Sequence, residues 1–103
     1  MSTDEQTRLL DNLQSLLEKQ IEMARRSDFR SVEALAEQAD FIVDEIVKMK
    51  CFEQPEFAGR CQHLTKLYQK LELMLTGSKD SVGRQLRQVG NVRKTLEAYH
   101  NKG

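Results

Sequence analysis

Four side chains in the sequence carry the soft donor atoms that transition metals prefer: Cys51, Cys61, His63 and His100. Structural zinc sites take such ligands as two closely spaced pairs. Cys61 and His63 are only two residues apart, and residues two apart on a helix point to different sides. The sequence offers no second pair, so we predict neither a metal site nor a cofactor.

Carboxylates one helical turn apart are the other candidate groups, in this case for general acid and base catalysis. Glu33 and Glu37, and likewise Asp40 and Asp44, have the four-residue spacing that brings two acids to one helix face. An acid and base pair needs such proximity, yet the polar face of any amphipathic helix shows the same spacing. The sequence has no Ser, His and Asp grouping and no glycine-rich phosphate loop. We therefore predict that the protein is not an enzyme.

The composition is typical of one all-α domain over residues 1–103. Hydrophobic residues make up 39% and charged residues 31%, with one Pro, no Trp and five Gly, whereas an all-β chain needs more turn residues. Lys plus Arg and Asp plus Glu both number 16, so no net field attracts nucleic acid or an acidic membrane. The charge is unevenly placed, because residues 31–47 hold acids but no Lys or Arg, and residues 82–103 hold five Lys or Arg against Glu97 alone.

The N-terminus and the hydropathy predict a cytoplasmic protein without membrane insertion. No apolar run approaches the roughly 20 residues that span a bilayer, and MSTDEQTR lacks the apolar segment of a signal peptide. Two cysteines without a secretory signal are expected to stay reduced. Cys51 and Cys61 are accordingly interpreted as packing residues.

Two antiparallel helices are predicted in the first half of the chain. Apolar residues recur every three or four positions over residues 4–26, and a second stripe follows over residues 29–50. Ser27 and Asp28 supply capping oxygens between the two stripes. So short a connection favours an antiparallel hairpin.

A long third helix is predicted over residues 55–100. Pro55 suits the first turn of a helix. The apolar phase of residues 57–75 continues through residues 82–99 without a reset, which favours one continuous helix.

The alternative is a break near Gly77 that produces a fourth helix. Gly77 and Ser78 favour a turn, and Asp80 or Ser81 can cap the helix that follows. The glycines of this segment each weaken a helix by up to about 1 kcal/mol relative to Ala. Both arrangements keep the all-α class.

Helix length predicts a binding surface. At about 1.5 Å per residue the hairpin helices reach roughly 30–35 Å, whereas a helix over residues 55–100 reaches about 70 Å. Half of the long helix then lacks cover, and an exposed apolar stripe of that size marks an interaction surface. The predicted partner-binding residues are Val82, Leu86, Val89, Val92, Leu96 and Tyr99.

Two stretches resemble a known family. LLEKQIEMARRSDFRSVEALAEQADFIVDEI resembles the opening helical hairpin of the flagellar type III export chaperones of the FlgN and FliT type, in which a leucine-rich helix passes into an acidic one. VRKTLEAYHNK is similar to the basic segment that closes on a tyrosine near the C-terminus of those proteins. The resemblance covers nearly the whole chain.

The resemblance implies a binding function without catalysis. Such chaperones hold the C-terminal helical segment of a hook-associated or filament-cap protein in the cytoplasm and deliver it to the export gate. Carried over to this chain, the family pattern makes Val82, Leu86, Val89, Val92 and Leu96 the client-facing stripe. Tyr99 then matches the tyrosine that docks on the gate.

Two other functions remain open from the residues. The first is a structural homodimer, in which the long helices of two copies pair as a coiled coil without a client. The second is a nucleic-acid binder that uses Arg84, Arg87, Arg93 and Lys94 on phosphates. A neutral chain with one aromatic residue in that segment disfavours the second function.

Overall fold

Helices account for nearly all of the structure. The computed structural model describes residues 3–78 and 82–100. The α-helices are α1 (Thr3–Arg25), α2 (Phe29–Lys48), α3 (Ala58–Thr76) and α4 (Gly83–His100), and two 3-10 turns, Cys51–Glu53 and Pro55–Phe57, join α2 to α3. The predicted all-α fold is confirmed.

The turn between α1 and α2 is built by Ser27 and Asp28, where the sequence places it. Ser27 adopts a left-handed conformation with a φ of 60°, which redirects the chain. Asp28 then caps α2: its Oδ2 accepts a hydrogen bond from the Ser31 hydroxyl at 2.7 Å and its Oδ1 accepts one from the Ser31 backbone N–H at 3.2 Å. These two bonds lower the pKa of Asp28 below its ordinary value, because they favour the carboxylate.

The connection from α2 to α3 is partly buried. Lys50 is left-handed with a φ of 58°, and the following Cys51 and Phe52 point into the core. Pro55 opens a 3-10 turn, so α3 begins at Ala58 and not at the proline. Cys51 and Cys61 are buried, unpaired thiols, and burial raises the pKa of Cys61 to about 11.

The continuous third helix predicted over residues 55–100 does not form. α3 ends at Thr76, where Gly77 caps it by donating its N–H to the Leu73 carbonyl at 3.0 Å, and α4 starts at Gly83. The alternative break at Gly77 and Ser78 is the one observed, while its proposed caps Asp80 and Ser81 lie outside the described residues. Two helices that fold back on each other are more stable than one continuous helix, because they bury an apolar stripe that the continuous helix leaves in water.

Two helical hairpins pack side by side. α1 lies against α2 and α3, and α4 lies against α3 and α2. Gln85 donates to the Phe29 carbonyl and Gln88 to the Ala36 carbonyl. Because these bonds advance in the same direction on both helices, α2 and α4 are parallel. Their interface is the smallest of the four.

The core runs along the axis between the hairpins. Each helix contributes side chains that are almost fully enclosed, and burying a leucine or valine of this kind stabilises the fold by about 1.5–3 kcal/mol relative to exposure. The most enclosed aliphatic residues are Leu10, Leu13, Leu17, Val32, Ile46, Leu64, Leu71, Leu75, Val89 and Leu96.

Candidate partner-binding site

The predicted partner-binding stripe faces the core of its own bundle. Val89 and Leu96 are 1% and 0% exposed, and Val82 and Val92 are also buried, while Leu86 and Tyr99 are partly buried against the same cluster. Five of the six therefore share one face of α4, as the spacing predicts, and Val82 lies immediately before the helix, which begins at Gly83. The expectation that this face is uncovered is corrected, because α3 and α2 cover it.

Tyr99 packs on the connection between α2 and α3. Its ring lies 5.6 Å from the ring of Phe52, centroid to centroid, at an interplanar angle of 45°. Tilted aromatic pairs at this distance contribute about 0.5–1.5 kcal/mol beyond area burial. The contact holds the C-terminal end of α4 against the bundle.

The α3–α4 interface carries a network around Arg93. Its Nε donates to Glu72 at 2.9 Å and its Nη1 donates to Glu97 at 3.0 Å. The bonds to Glu97 and Glu72 raise the pKa of Arg93, and the bonds from Gln69 and Arg93 lower the pKa of Glu97. Gly90 makes room for this network, since a Cβ there would lie 2.9 Å from an Oε of Glu72.

Polar side chains hold α4 to α2. Arg84 pairs with Glu33 at 3.0 Å, but the Arg84 side chain is 77% exposed, so the pair contributes little. Gln88 donates to the Ala36 carbonyl at 3.0 Å and also to the carboxylate of Asp40. The α2–α4 seam is thus held in part by polar contacts.

Two of the four basic residues considered for phosphate contacts are engaged within the chain. Arg84 pairs with Glu33, and Arg93 with Glu72 and Glu97. Arg87 and Lys94 are exposed on the outer side of α4.

The inside of the bundle contains a polar cluster that the sequence analysis did not predict. Gln20 and Tyr68 are each 1% exposed, and both amide atoms of Gln20 and the hydroxyl of Tyr68 lack a hydrogen-bond partner among the described residues. Burial raises the pKa of Tyr68 above its ordinary value, and the nearby Asp40 adds to the shift. A signal was available for Gln20, which follows Leu13 and Leu17 at core spacing.

The residues considered for metal or for acid and base chemistry form no metal-binding group in the described part of the chain. Cys51 and Cys61 are buried, whereas His63 is exposed. Within residues 3–78 and 82–100, no three side chains of His, Cys, Asp or Glu come close enough to hold a metal ion. Glu37 and Asp44 are exposed on α2.

Comparisons with known proteins add no functional information to the fold and to the family resemblance of the sequence. No protein-family model, curated protein or solved structure matches this chain. Among the helices of the described segments, none combines the length and the hydropathy that crossing a membrane requires.

Proposed function

We propose that the protein is a cytoplasmic flagellar export chaperone, and that α4 carries the client-binding face. The client is the C-terminal helical segment of a hook-associated or filament-cap protein, which the chaperone delivers to the type III export gate. The observation that carries the proposal is the position of α4. Its apolar stripe has the spacing that binds an amphipathic helix, and in the free protein the chain itself occupies that stripe.

Release of α4 is the step that exposes the stripe. Gly90, in the interior of α4, lowers the intrinsic stability of the helix by up to about 1 kcal/mol relative to Ala, whereas Gly83 is the first residue of the helix. The interface of α4 with α2 is also smaller than the other three helix–helix interfaces. α4 is therefore the helix that detaches at the lowest free energy.

Release also frees Tyr99 from Phe52. In the closed bundle the two rings are in contact, so a tyrosine that docks on the gate is held until α4 moves. Client capture and gate docking are coupled in this scheme, because one displacement exposes both surfaces.

The coiled-coil homodimer has lost the feature that suggested it. That arrangement needs an exposed stripe on a long third helix, and the stripe instead lies within one bundle. Of the four basic residues considered for phosphate contacts, Arg84 and Arg93 pair with carboxylates. Arg87 and Lys94 have no carboxylate partner among the described residues and would have to carry the nucleic-acid function.

The proposal is tested with C-terminal helical segments of hook-associated and filament-cap proteins as clients. We expect a complex of one chaperone with one client by light scattering, together with changed hydrogen exchange over residues 83–100. Val89→Thr should abolish binding, because it places a hydroxyl on the stripe. Val32→Thr is the matched control, since Val32 is equally buried but lies on α2.

The two valine variants separate binding from folding. Both bury one hydroxyl, so both should lower the free energy of unfolding by a similar amount. Equal client binding by the two variants, or no complex with any client, would refute the proposed function.

A further inference from the structure

A groove runs along the outer side of the α2–α4 seam. Its volume is about 270 Å³. Acidic residues of α2 form one wall, amide and hydroxyl residues of α4 form the other, and two valines form the floor. The lining residues are Asp40, Asp44, Val43, Gln88, Asn91, Thr95 and Val92.

A narrower space lies behind the groove, at the centre of the bundle. Asp40, Gln88 and Val92 line both spaces, so the bond from Gln88 to Asp40 closes one from the other. In this conformation the inner space is too narrow for a water molecule. Anything that enters it must first displace the Gln88 side chain.

The inner space is bordered by two residues whose buried polar atoms lack hydrogen-bond partners within the described part of the chain. Gln20 and Tyr68 line it, and their amide and hydroxyl groups are the buried polar atoms described above. A buried polar group without a hydrogen bond destabilises the folded state, so natural proteins rarely keep one without a use for it. Three such atoms on one small space mark it as a site for a hydrogen-bonding group.

The charge around the site favours a cation. Desolvation raises the pKa of Asp40, the bond from Gln88 lowers it, and the neighbouring Asp44 and Glu37 raise it further. The donor that Asp40 has across the seam is the neutral amide of Gln88. α2 supplies no Lys or Arg over residues 31–47, so a cation has to come from outside the helix.

We propose that the α2–α4 groove is a docking site for a partner helix that presents a lysine, whose ammonium group takes the place of Gln88 on Asp40 and reaches Gln20 and Tyr68. An ammonium has three N–H donors and no acceptor. The site has three matching acceptors, namely the Asp40 carboxylate, Oε1 of Gln20 and the hydroxyl oxygen of Tyr68. Lysine fits better than arginine, because its charge is compact and its stem is narrow.

A helix is the partner that suits the groove. The groove follows two parallel helices, and its floor of Val43 and Val92 is apolar between polar walls. A helix lying there contacts the floor with residues three and four apart and points one central side chain at the Asp40–Gln88 bond. Docking does not require α4 to leave the bundle, so the inference does not rest on the proposed function, although Val92 belongs to both the groove floor and the client stripe.

The test uses two synthetic 18-residue amphipathic helical peptides that are identical except for the central residue of the apolar stripe, which is Lys in one and Leu in the other. Dissociation constants are measured by fluorescence anisotropy with the whole chain. Charge-assisted hydrogen bonds in a partly buried site predict that the Lys peptide binds at least about tenfold tighter. The preference should fall to about one in Asp40→Asn.

Gln88→Lys provides an internal occupant. The substituted side chain starts from the residue that already bonds Asp40, so it should fill the site and abolish the preference for the Lys peptide. Gln38→Lys is the matched control, because it adds the same charge at an exposed position of α2. This control should keep the preference within about twofold.

Tyr68→Phe removes one acceptor while keeping the ring, so folding is retained. The preference should drop about fivefold in this variant. Equal dissociation constants for the two peptides in the unmodified protein, no binding of either peptide, or a preference that survives in Asp40→Asn would overturn the proposal. None of these outcomes bears on flagellar clients, because neither peptide is derived from one.

Discussion

Truncating Leu96 to Ala tests whether α4 belongs to the folded core. Leu96 is 0% exposed, and removing a fully buried leucine costs about 2–5 kcal/mol. We expect about 3 kcal/mol, because Leu96 sits near the end of the bundle, where the surrounding helices can close part of the cavity. For a chain of this length 1 kcal/mol corresponds to a shift in Tm of roughly 4 °C, so Tm should fall by about 12 °C.

The assay is urea and thermal unfolding followed by far-UV circular dichroism. Leu73→Ala is the matched control, since Leu73 is on α3 but 74% exposed, and its cost should stay within about 0.5 kcal/mol. An unchanged slope of the free energy of unfolding against urea concentration would show that the substitution changes stability and not the compactness of the folded or unfolded state.

The outcome that contradicts the fold is equal behaviour of the two leucine variants. If Leu96→Ala and Leu73→Ala shift the midpoint by the same small amount, α4 is undocked in solution and its stripe is exposed. A large shift for Leu96→Ala alone places the stripe in the core of the free protein.

Three further substitutions test single groups by urea unfolding. Tyr68→Phe should raise the free energy of unfolding by about 1 kcal/mol, because it removes a buried hydroxyl that has no hydrogen-bond partner among the described residues; a decrease would mean that the hydroxyl is hydrogen-bonded. The pKa of Asp40 is raised by desolvation and by Asp44 and Glu37. Just above pH 3.8 the folded state therefore binds more protons than the unfolded state, so the free energy of unfolding falls as pH rises. Asp40→Asn should remove that fall. The pKa of Asp28 is lowered, so its contribution is present above pH 3.8 and is lost as pH falls through the lowered value; Asp28→Ala should abolish that loss and weaken the protein at neutral pH.

Local signals in the sequence were sufficient for the helices of the first hairpin. The three-and-four spacing reports which face of a helix is buried, and Asp28 carries its capping function in its own side chain. The same spacing placed the five stripe residues from Leu86 to Tyr99 on one face of α4. These features depend on neighbours within one turn, which is why sequence reasoning reaches them.

The course of the chain after Thr76 depends on long-range packing. A continuous apolar phase across Gly77 was interpreted as one helix, but two helices that bury their stripes in the same core produce the same phase. Whether the chain folds back is decided by apolar area buried across the bundle, which no local pattern records. The prediction that the stripe is exposed failed for the same reason.

The internal polar site shows a different limit. Gln20 stands at core spacing and Tyr68 falls within the apolar phase of residues 57–75, yet nothing in the sequence shows that the two residues line the same space. Their meeting with Asp40 requires the register of four helices. Local reasoning could therefore flag Gln20 as unusual without finding its neighbours.

The side-by-side hairpins also set an order of events in time. Most contacts of a hairpin join residues close in sequence, which favours rapid folding. The first hairpin has the Asp28 cap, whereas α4 contains two glycines, so we expect α1 and α2 to be paired in the rate-limiting transition state and α4 to dock after it. Stopped-flow kinetics should then show that Leu96→Ala accelerates unfolding and leaves the folding rate nearly unchanged, while Leu13→Ala slows folding. During synthesis, the hairpin that leaves the ribosome first is then also the one that folds first.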